Sequence, residues 1–151
     1  MCFKNDSDYQ KFEFPLPEQT RLKIQDLLEN QVNDIFYYTD TKYYPTLKEE
    51  IKNRNTVYQW RRQYVRENKS NLCPTLTANM GTGGHNVPLV LDNKDIRKLT
   101  PRECARLQGF PDTFILPNNL PNSALYKQMG NSVSIPVIER IAQNIINVLN
   151  S

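Results

Sequence analysis

The feature that most constrains this chain is a helix with both ends written into it, "TPRECARLQGFPD" at positions 100–112. Thr100 is an N-cap type. Pro101 suits the first helical position, and Glu103 stands where a capping box requires an acid. Gly109 then serves as the C-cap and Pro111 stops the helix. The segment predicts a short helix over 101–108. A second helix is predicted at the C-terminal end, where Ile135, Ile138, Ile141, Ile145, Val148 and Leu149 recur at helical spacing. Ser134 can cap it, and Pro136 falls in its first turn.

Between residues 57 and 99 the pattern changes to short extended segments. "VYQWRRQYV" (57–65) alternates partly and is rich in aromatic and β-branched residues, which predicts one strand. "RENKSN" is a turn-like polar cluster, and "CPTLTANM" predicts a second strand. "GTGGHN" is a glycine-rich loop, "VPLVL" a third strand, and "DNKD" a turn before "IRKL". The first 50 residues carry less information. "TRLKIQDLLEN" (20–30) fits a short helix through Leu22, Ile24, Leu27 and Leu28. "IFYYTDTKYYPTLKEEI" predicts an irregular connection ending in another short helix. The expected fold class is α+β: a small β-rich lobe, short helices and a C-terminal amphipathic helix.

Composition narrows the class. With 38% hydrophobic and 23% charged residues, the 151-residue chain is a folded one, while eight Tyr, six Phe and ten Pro fit a loop-rich body pinned by aromatics. No apolar run approaches the roughly 20 residues a membrane span needs. The N-terminal "MCFKNDSDYQ" lacks a signal-peptide core, so the expected compartment is cytoplasmic. Cys2, Cys73 and Cys104 are far apart, no CxxC pair occurs, and His85 is the only histidine, which argues against zinc or a disulfide framework.

Three stretches can carry function. In "VYQWRRQYVRENKS", Tyr58, Trp60 and Tyr64 are interleaved with Arg61, Arg62 and Arg66. Between positions 52 and 72 the basic residues, with Lys52, Arg54 and Lys69, face a single acid, Glu67. Arginines so placed can contact phosphates or read guanine through paired hydrogen bonds. The alternative is a solvated charged face. In "CPTLTANMGTGGHN", Gly81, Gly83 and Gly84 permit positive φ and close backbone approach, as in a nest of amides or a loop entering a groove; the alternative is a long hairpin turn. It is no P-loop, and His85 reads as a satisfied loop histidine. "RKLTPRECARLQGFPD" holds Arg97, Arg102, Glu103 and Arg106, and is expected to organise structure through the cap and charge-assisted bonds. Finally, "YKQMGNSVSIP" (126–136) places Gly130 and the small polar Asn131, Ser132 and Ser134 before the last helix. It reads as a turn whose backbone approaches a ligand or partner.

Together these stretches resemble the bacterial DNA (cytosine-5) methyltransferases of restriction–modification systems. "RKLTPRECARLQGFPD" resembles the family's ninth conserved motif and "YKQMGNSVSIPV" its tenth. "CPTLTANMGTGGHNVPLV" is similar to the part of the target-recognition domain just before them. The similarity covers residues 57–150, and "MCFKNDSDY" resembles a remnant of the strand closing the eighth motif. The resemblance implies extraction of a cytosine from duplex DNA and methylation at C5 with S-adenosylmethionine. In the family a cysteine thiolate attacks C6 while a glutamate assists at N3. It implies that Arg61, Arg62, Arg66, Thr75, Thr77, Asn79, Gly81, Gly83, Gly84 and His85 face DNA. Asn131, Ser132 and Val133 would line the cofactor pocket.

The family's catalytic cysteine follows a proline, and this sequence has no Pro-Cys dipeptide; Cys73 precedes Pro74 instead. "ENQV" (29–32) mimics the family's Glu-Asn-Val motif without its strand context. No catalytic or metal-binding residue is therefore expected. The implied organisation is a linker over 1–56, recognition domain and ninth-motif helix over 57–112, and tenth motif with final helix over 113–151. Two functions follow as expectations. One is the recognition half of a methyltransferase, partnered by double-stranded DNA and by a catalytic N-terminal half or subunit, inactive alone and holding only part of the S-adenosylmethionine pocket. The other is a non-catalytic DNA-binding module or gene remnant. An exposed final helix would also permit a homodimer.

Overall fold

The computed structural model describes residues 6–18, 23–61, 64–68, 72–81 and 87–151. Its helices are α1 (Asp6–Lys11), α2 (Tyr44–Glu50), α3 (Pro101–Leu107), α4 (Asn122–Asn131) and α5 (Ile135–Leu149). Its strands are β1 (Val57–Arg61), β2 (Tyr64–Asn68), β3 (Leu89–Leu91) and β4 (Ile96–Lys98), and 3-10 turns cover Ile24–Leu27 and Asp34–Phe36. The chain divides into two units, Leu22–Ser132, and Met1–Arg21 with Val133–Ser151.

The larger unit is built on an antiparallel sheet of order β2-β1-β3-β4. β1 and β2 pair from Val57↔Asn68 to Arg61↔Tyr64, and β1 meets β3 at Tyr58↔Leu89. The β3–β4 turn is closed by Asp92, whose Oδ1 accepts from the amides of Lys94 (2.8 Å) and Asp95 (3.0 Å), an Asx turn. Neighbouring residues on a strand point to opposite faces, and the core follows that rule. Tyr58, Leu89 and Ile96 bury one face with Tyr38 and with Leu47 and Ile51 from and beside α2. Val57 and Val90 bury the other with Leu99, Cys104, Ala105, Met80, Tyr126 and Met129.

The smaller unit contains α1 and α5. Asn144 Nδ2 donates to the Glu13 carbonyl (3.0 Å), Lys11 Nζ to Ser151 Oγ (3.2 Å), and Arg140 pairs with Glu18 (3.5 Å). No residue of α5 is buried, and Val137, Ile138, Ile146 and Leu149 are about half exposed.

Both helices form, although Ser134 at the N-cap of α5 makes no side-chain capping bond. The helix expected over 101–108 is observed as Pro101–Leu107, with Gln108 as its C-cap and Gly109 just beyond it at φ 86°. Four expectations are corrected. Residues 57–65 are not one strand but the two arms of a ribbon, and Arg66–Asn68, read as turn-like, complete the second arm. "CPTLTANM" forms no strand over its described residues: Pro74 has no amide to donate, and a turn closes from the Met80 N–H to the Thr77 carbonyl at 2.9 Å. The turn expected at "YKQMGN" is the last two turns of α4. From Asp6 onward "MCFKNDSDY" is helical rather than strand-like, and residues 1–5 lie outside the described part.

Candidate nucleic-acid interface

The β1–β2 ribbon and the segment after it enclose an open cavity of about 490 Å³, lined by Gln59, Trp60, Arg61, Arg66, Asn68, Pro74, Thr75, Thr77 and Asn79. The register explains the lining. Gln59 and Arg61 share a face on β1, and the pairing Gln59↔Arg66 brings Arg66 onto it from β2. Asn68 follows two residues along the same face. Trp60 is braced from behind by edge-on contacts with Tyr43 (4.5 Å between ring centroids) and Tyr38 (6.3 Å). Arg61 Nη2 donates to Gln59 Oε1 (2.9 Å), which holds the guanidinium over the opening. Arg61 and Arg66 are exposed, and among the described residues neither enters an ion pair. No acid is among the described lining residues. The chemistry of the cavity is two cations, hydroxyls and amides beside Trp60 and Pro74, which suits an anionic ligand that also carries donors and acceptors.

Five of the expected contact residues, Arg61, Arg66, Thr75, Thr77 and Asn79, are brought together here. Gly81 is not among the lining residues. It lies at φ 78° against Tyr126, where a Cβ would be 2.6 Å from Tyr126 Cδ2. Arg62, Gly83, Gly84 and His85 lie outside the described residues. From the sequence Trp60 reads only as an interleaved aromatic, and Gln59, Asn68 and Pro74 do not read as site residues. Gln59 and Asn68 become visible once the ribbon register is known.

At the other edge of the sheet, α3 and β4 are tied by a buried charge network. Arg97 is fully buried on β4; its Nη1 and Nη2 donate to the two carboxylate oxygens of Glu103 at 2.8 Å each, and its Nε to Asp92 at 2.5 Å. Burial alone would disfavour the Arg97 charge, but Glu103 and Asp92 outweigh it and hold the group above the ordinary arginine range. Glu103 also accepts from the amides of Thr100 and Glu29 at 2.8 Å, so both of its oxygens are doubly used. The Thr100 hydroxyl accepts from the Glu103 amide (3.1 Å) and donates to Glu29 Oε2 (2.5 Å). Burial raises the Asp92 carboxyl, yet bonds from Asp95, Arg97, Tyr37 and Lys94 bring it below its ordinary value. Glu29 of "ENQV" is thus part of the support for α3, in a segment without strand structure.

Asn131 is the exposed last residue of α4, and Ser132, its C-cap, donates its hydroxyl to the Met129 carbonyl (2.7 Å). Val133 is 56% exposed at the start of the other unit. None of the three lines the cavity described above. Cys104 is fully buried, and burial pushes the Cys73 thiol up to about 12, so neither is poised as a thiolate. Among the described residues no cluster of side chains could hold a metal ion, and no helix is long and apolar enough to cross a membrane.

Residues 1–147 match the family model for C-5 cytosine-specific DNA methylase. The chain is 58% identical over 147 residues to Type II methyltransferase M.Bsp6I of Bacillus sp. (strain RFL6), covering 95% of this chain and 46% of that protein. It is 33% identical to Type II methyltransferase M1.ScrFI of Lactococcus lactis subsp. cremoris, covering 97% of this chain and 37% of that protein. Among solved structures, Entamoeba histolytica methyltransferase EhMeth superposes with a TM-score of 0.64 at 18% identity, over 100% of this chain and 46% of that one. The chain therefore spans less than half the length of each of these relatives, and shares their fold over that part.

Proposed function

Because this chain belongs to the C-5 cytosine-specific DNA methylase family, we propose that it is the DNA-recognising half of a DNA (cytosine-5) methyltransferase of a restriction–modification system. Joined to a catalytic half, it would direct methylation of C5 of a flipped cytosine by S-adenosylmethionine. The observation that carries the reading is the cavity where Arg61, Arg66, Thr75, Thr77 and Asn79 converge with no acid among its described lining residues. The arginines supply phosphate or guanine contacts, and the hydroxyl and amide groups supply donors and acceptors for base edges.

In functional terms, residues 1–56 lead into the recognition part, 57–112 form it together with α3, and 113–151 complete the cofactor side. Asn131, Ser132 and Val133 are the proposed cofactor contacts. Alone they do not fit an enclosing pocket, since Asn131 and Val133 are exposed and the Ser132 hydroxyl is occupied by Met129. The remaining walls come from the catalytic half, which also brings the Pro-Cys nucleophile that this sequence lacks. The chain by itself is inactive in this reading, and no step of methyl transfer is assigned to its residues.

Titrating the chain with duplex DNA across a range of salt concentrations tests the interface. Arg61→Ala and Arg66→Ala should each weaken binding. An arginine that neutralises one phosphate contributes about 0.9 to the slope of log K against log salt, so each variant should flatten the slope by that amount. If both variants keep the wild-type affinity and slope, the ribbon is not the DNA-binding surface.

A further inference from the structure

The glycine of "GNSV" sits in a place the proposed function does not explain. Gly130 lies in the last turn of α4, and a Cβ there would come 2.1 Å from the Thr77 carbonyl oxygen, 2.2 Å from its carbon and 2.6 Å from Ala78 N. These are backbone atoms, so no side-chain rotation relieves the overlap. The peptide joining Thr77 to Ala78 therefore rests directly on the helix. One turn earlier, Tyr126 packs under Gly81, whose own Cβ would meet the Tyr126 ring at 2.6 Å and Ser123 Cα at 3.3 Å. Residues 123, 126 and 130 form one face of α4, and the turn over residues 77–81 lies along it. Tyr126 is itself fixed, buried and donating its hydroxyl to the Leu99 carbonyl at 2.5 Å. The upper side of the same turn carries Thr77 and Asn79, whose side chains are joined at 2.6 Å and line the cavity.

We infer that Gly130 is a positioning residue for sequence readout: it sets the height of the Thr77–Met80 turn, and so the reach of Thr77 and Asn79 into DNA. This rests on the reading of the cavity as the DNA interface. A methyl group at position 130 must lift the turn or push back the helix end. Base contacts depend on sub-ångström placement of donors and acceptors, whereas phosphate contacts through Arg61 and Arg66 tolerate such a shift. The turn can thus be displaced without removing any group that touches DNA.

The test is selection of bound duplexes from a pool with a randomised central segment, followed by sequencing, run on the wild-type chain, Gly130→Ala and Gly81→Ala. Circular dichroism and thermal unfolding first establish which variants fold. The wild type should enrich a defined motif. A folded variant should bind unselected duplex within about twofold of wild type with the same salt slope, while enrichment of that motif falls by tenfold or more. A folded variant that enriches the same motif as strongly overturns the inference. Loss of folding in both variants also overturns it, because the close approach would then be structural only. If the wild type enriches no motif, the DNA-recognition reading itself fails, which is a separate outcome.

Discussion

Arg97 shows how one buried residue can tie a strand to a helix. It is completely buried, and its charge is tolerable only because Glu103 and Asp92 meet all three of its nitrogens. Removing Glu103 takes the carboxylate from two nitrogens of a buried cation and leaves only Asp92 to balance it, and breaking a buried ion pair typically costs about 3–5 kcal/mol. Glu103→Ala should therefore lower the urea midpoint of the chain steeply. A midpoint within error of wild type would show that the network is not what fixes β4 to α3. The same network sets an acid limit. Asp92 binds its proton less readily folded than unfolded, so its contribution is present above the ordinary value of 3.8 and is lost as pH falls below it. Urea midpoints should hold from pH 7 to about 4 and fall further down, and Asp92→Asn should flatten that part of the profile. At the alkaline end the sign reverses. Burial raises Cys73 from 9.0 to about 12, so the unfolded chain releases this proton first and stability declines across that interval. Cys73→Ala should reduce the decline between pH 9 and 11.

At the scale of elements, what could be read from the sequence depended on whether an element carries its own punctuation. α3 states its cap, its first-turn proline and its terminating glycine, and Thr100 performs the expected capping in both directions. Thr100 also donates to Glu29. Thr100→Ala should cost roughly 1 kcal/mol from the missing cap, with a further penalty from the stranded Glu29 carboxylate, while Thr100→Ser should recover most of both; urea unfolding of the two variants checks the order. α5 was visible through its isoleucine spacing. α4 was not, because Gly130 and the small polar residues after it read as a turn, while the helix is held by burial of Leu125, Tyr126 and Met129. The β1–β2 ribbon was hidden for a different reason. "RRQ" contains none of the Asn-Gly or Asp-Gly signals that mark tight hairpins, so residues 57–65 read as one strand. A single strand conceals the register, and with it the place of Gln59 and Asn68 beside Arg61 and Arg66. The arginines and the threonines of the site were legible as residue types; their convergence was tertiary information.

For the molecule as a whole, the decisive fact is that it spans less than half of the relatives it matches while leaving one side of its longest helix uncovered. Val137, Ile138, Ile146 and Leu149 remain 46–59% exposed on α5, and the last three of these lie at positions that share a helical stripe. Burying apolar surface yields roughly 25 cal/mol per Å², so such a stripe is a favourable place for a second folded body to dock. Under the proposed function that body is the catalytic half. Mixing this chain with a half that carries the Pro-Cys motif, duplex DNA and labelled S-adenosylmethionine should then produce methyl transfer that neither half gives alone. Ile138→Asp with Ile146→Asp should abolish it. The same double variant should titrate duplex DNA as the wild-type chain does, because the arginine-lined cavity belongs to the Leu22–Ser132 unit and α5 to the other. Transfer that survives the two aspartates would place the docking surface elsewhere. A variant that loses DNA affinity in step with transfer would mean instead that α5 supports recognition directly.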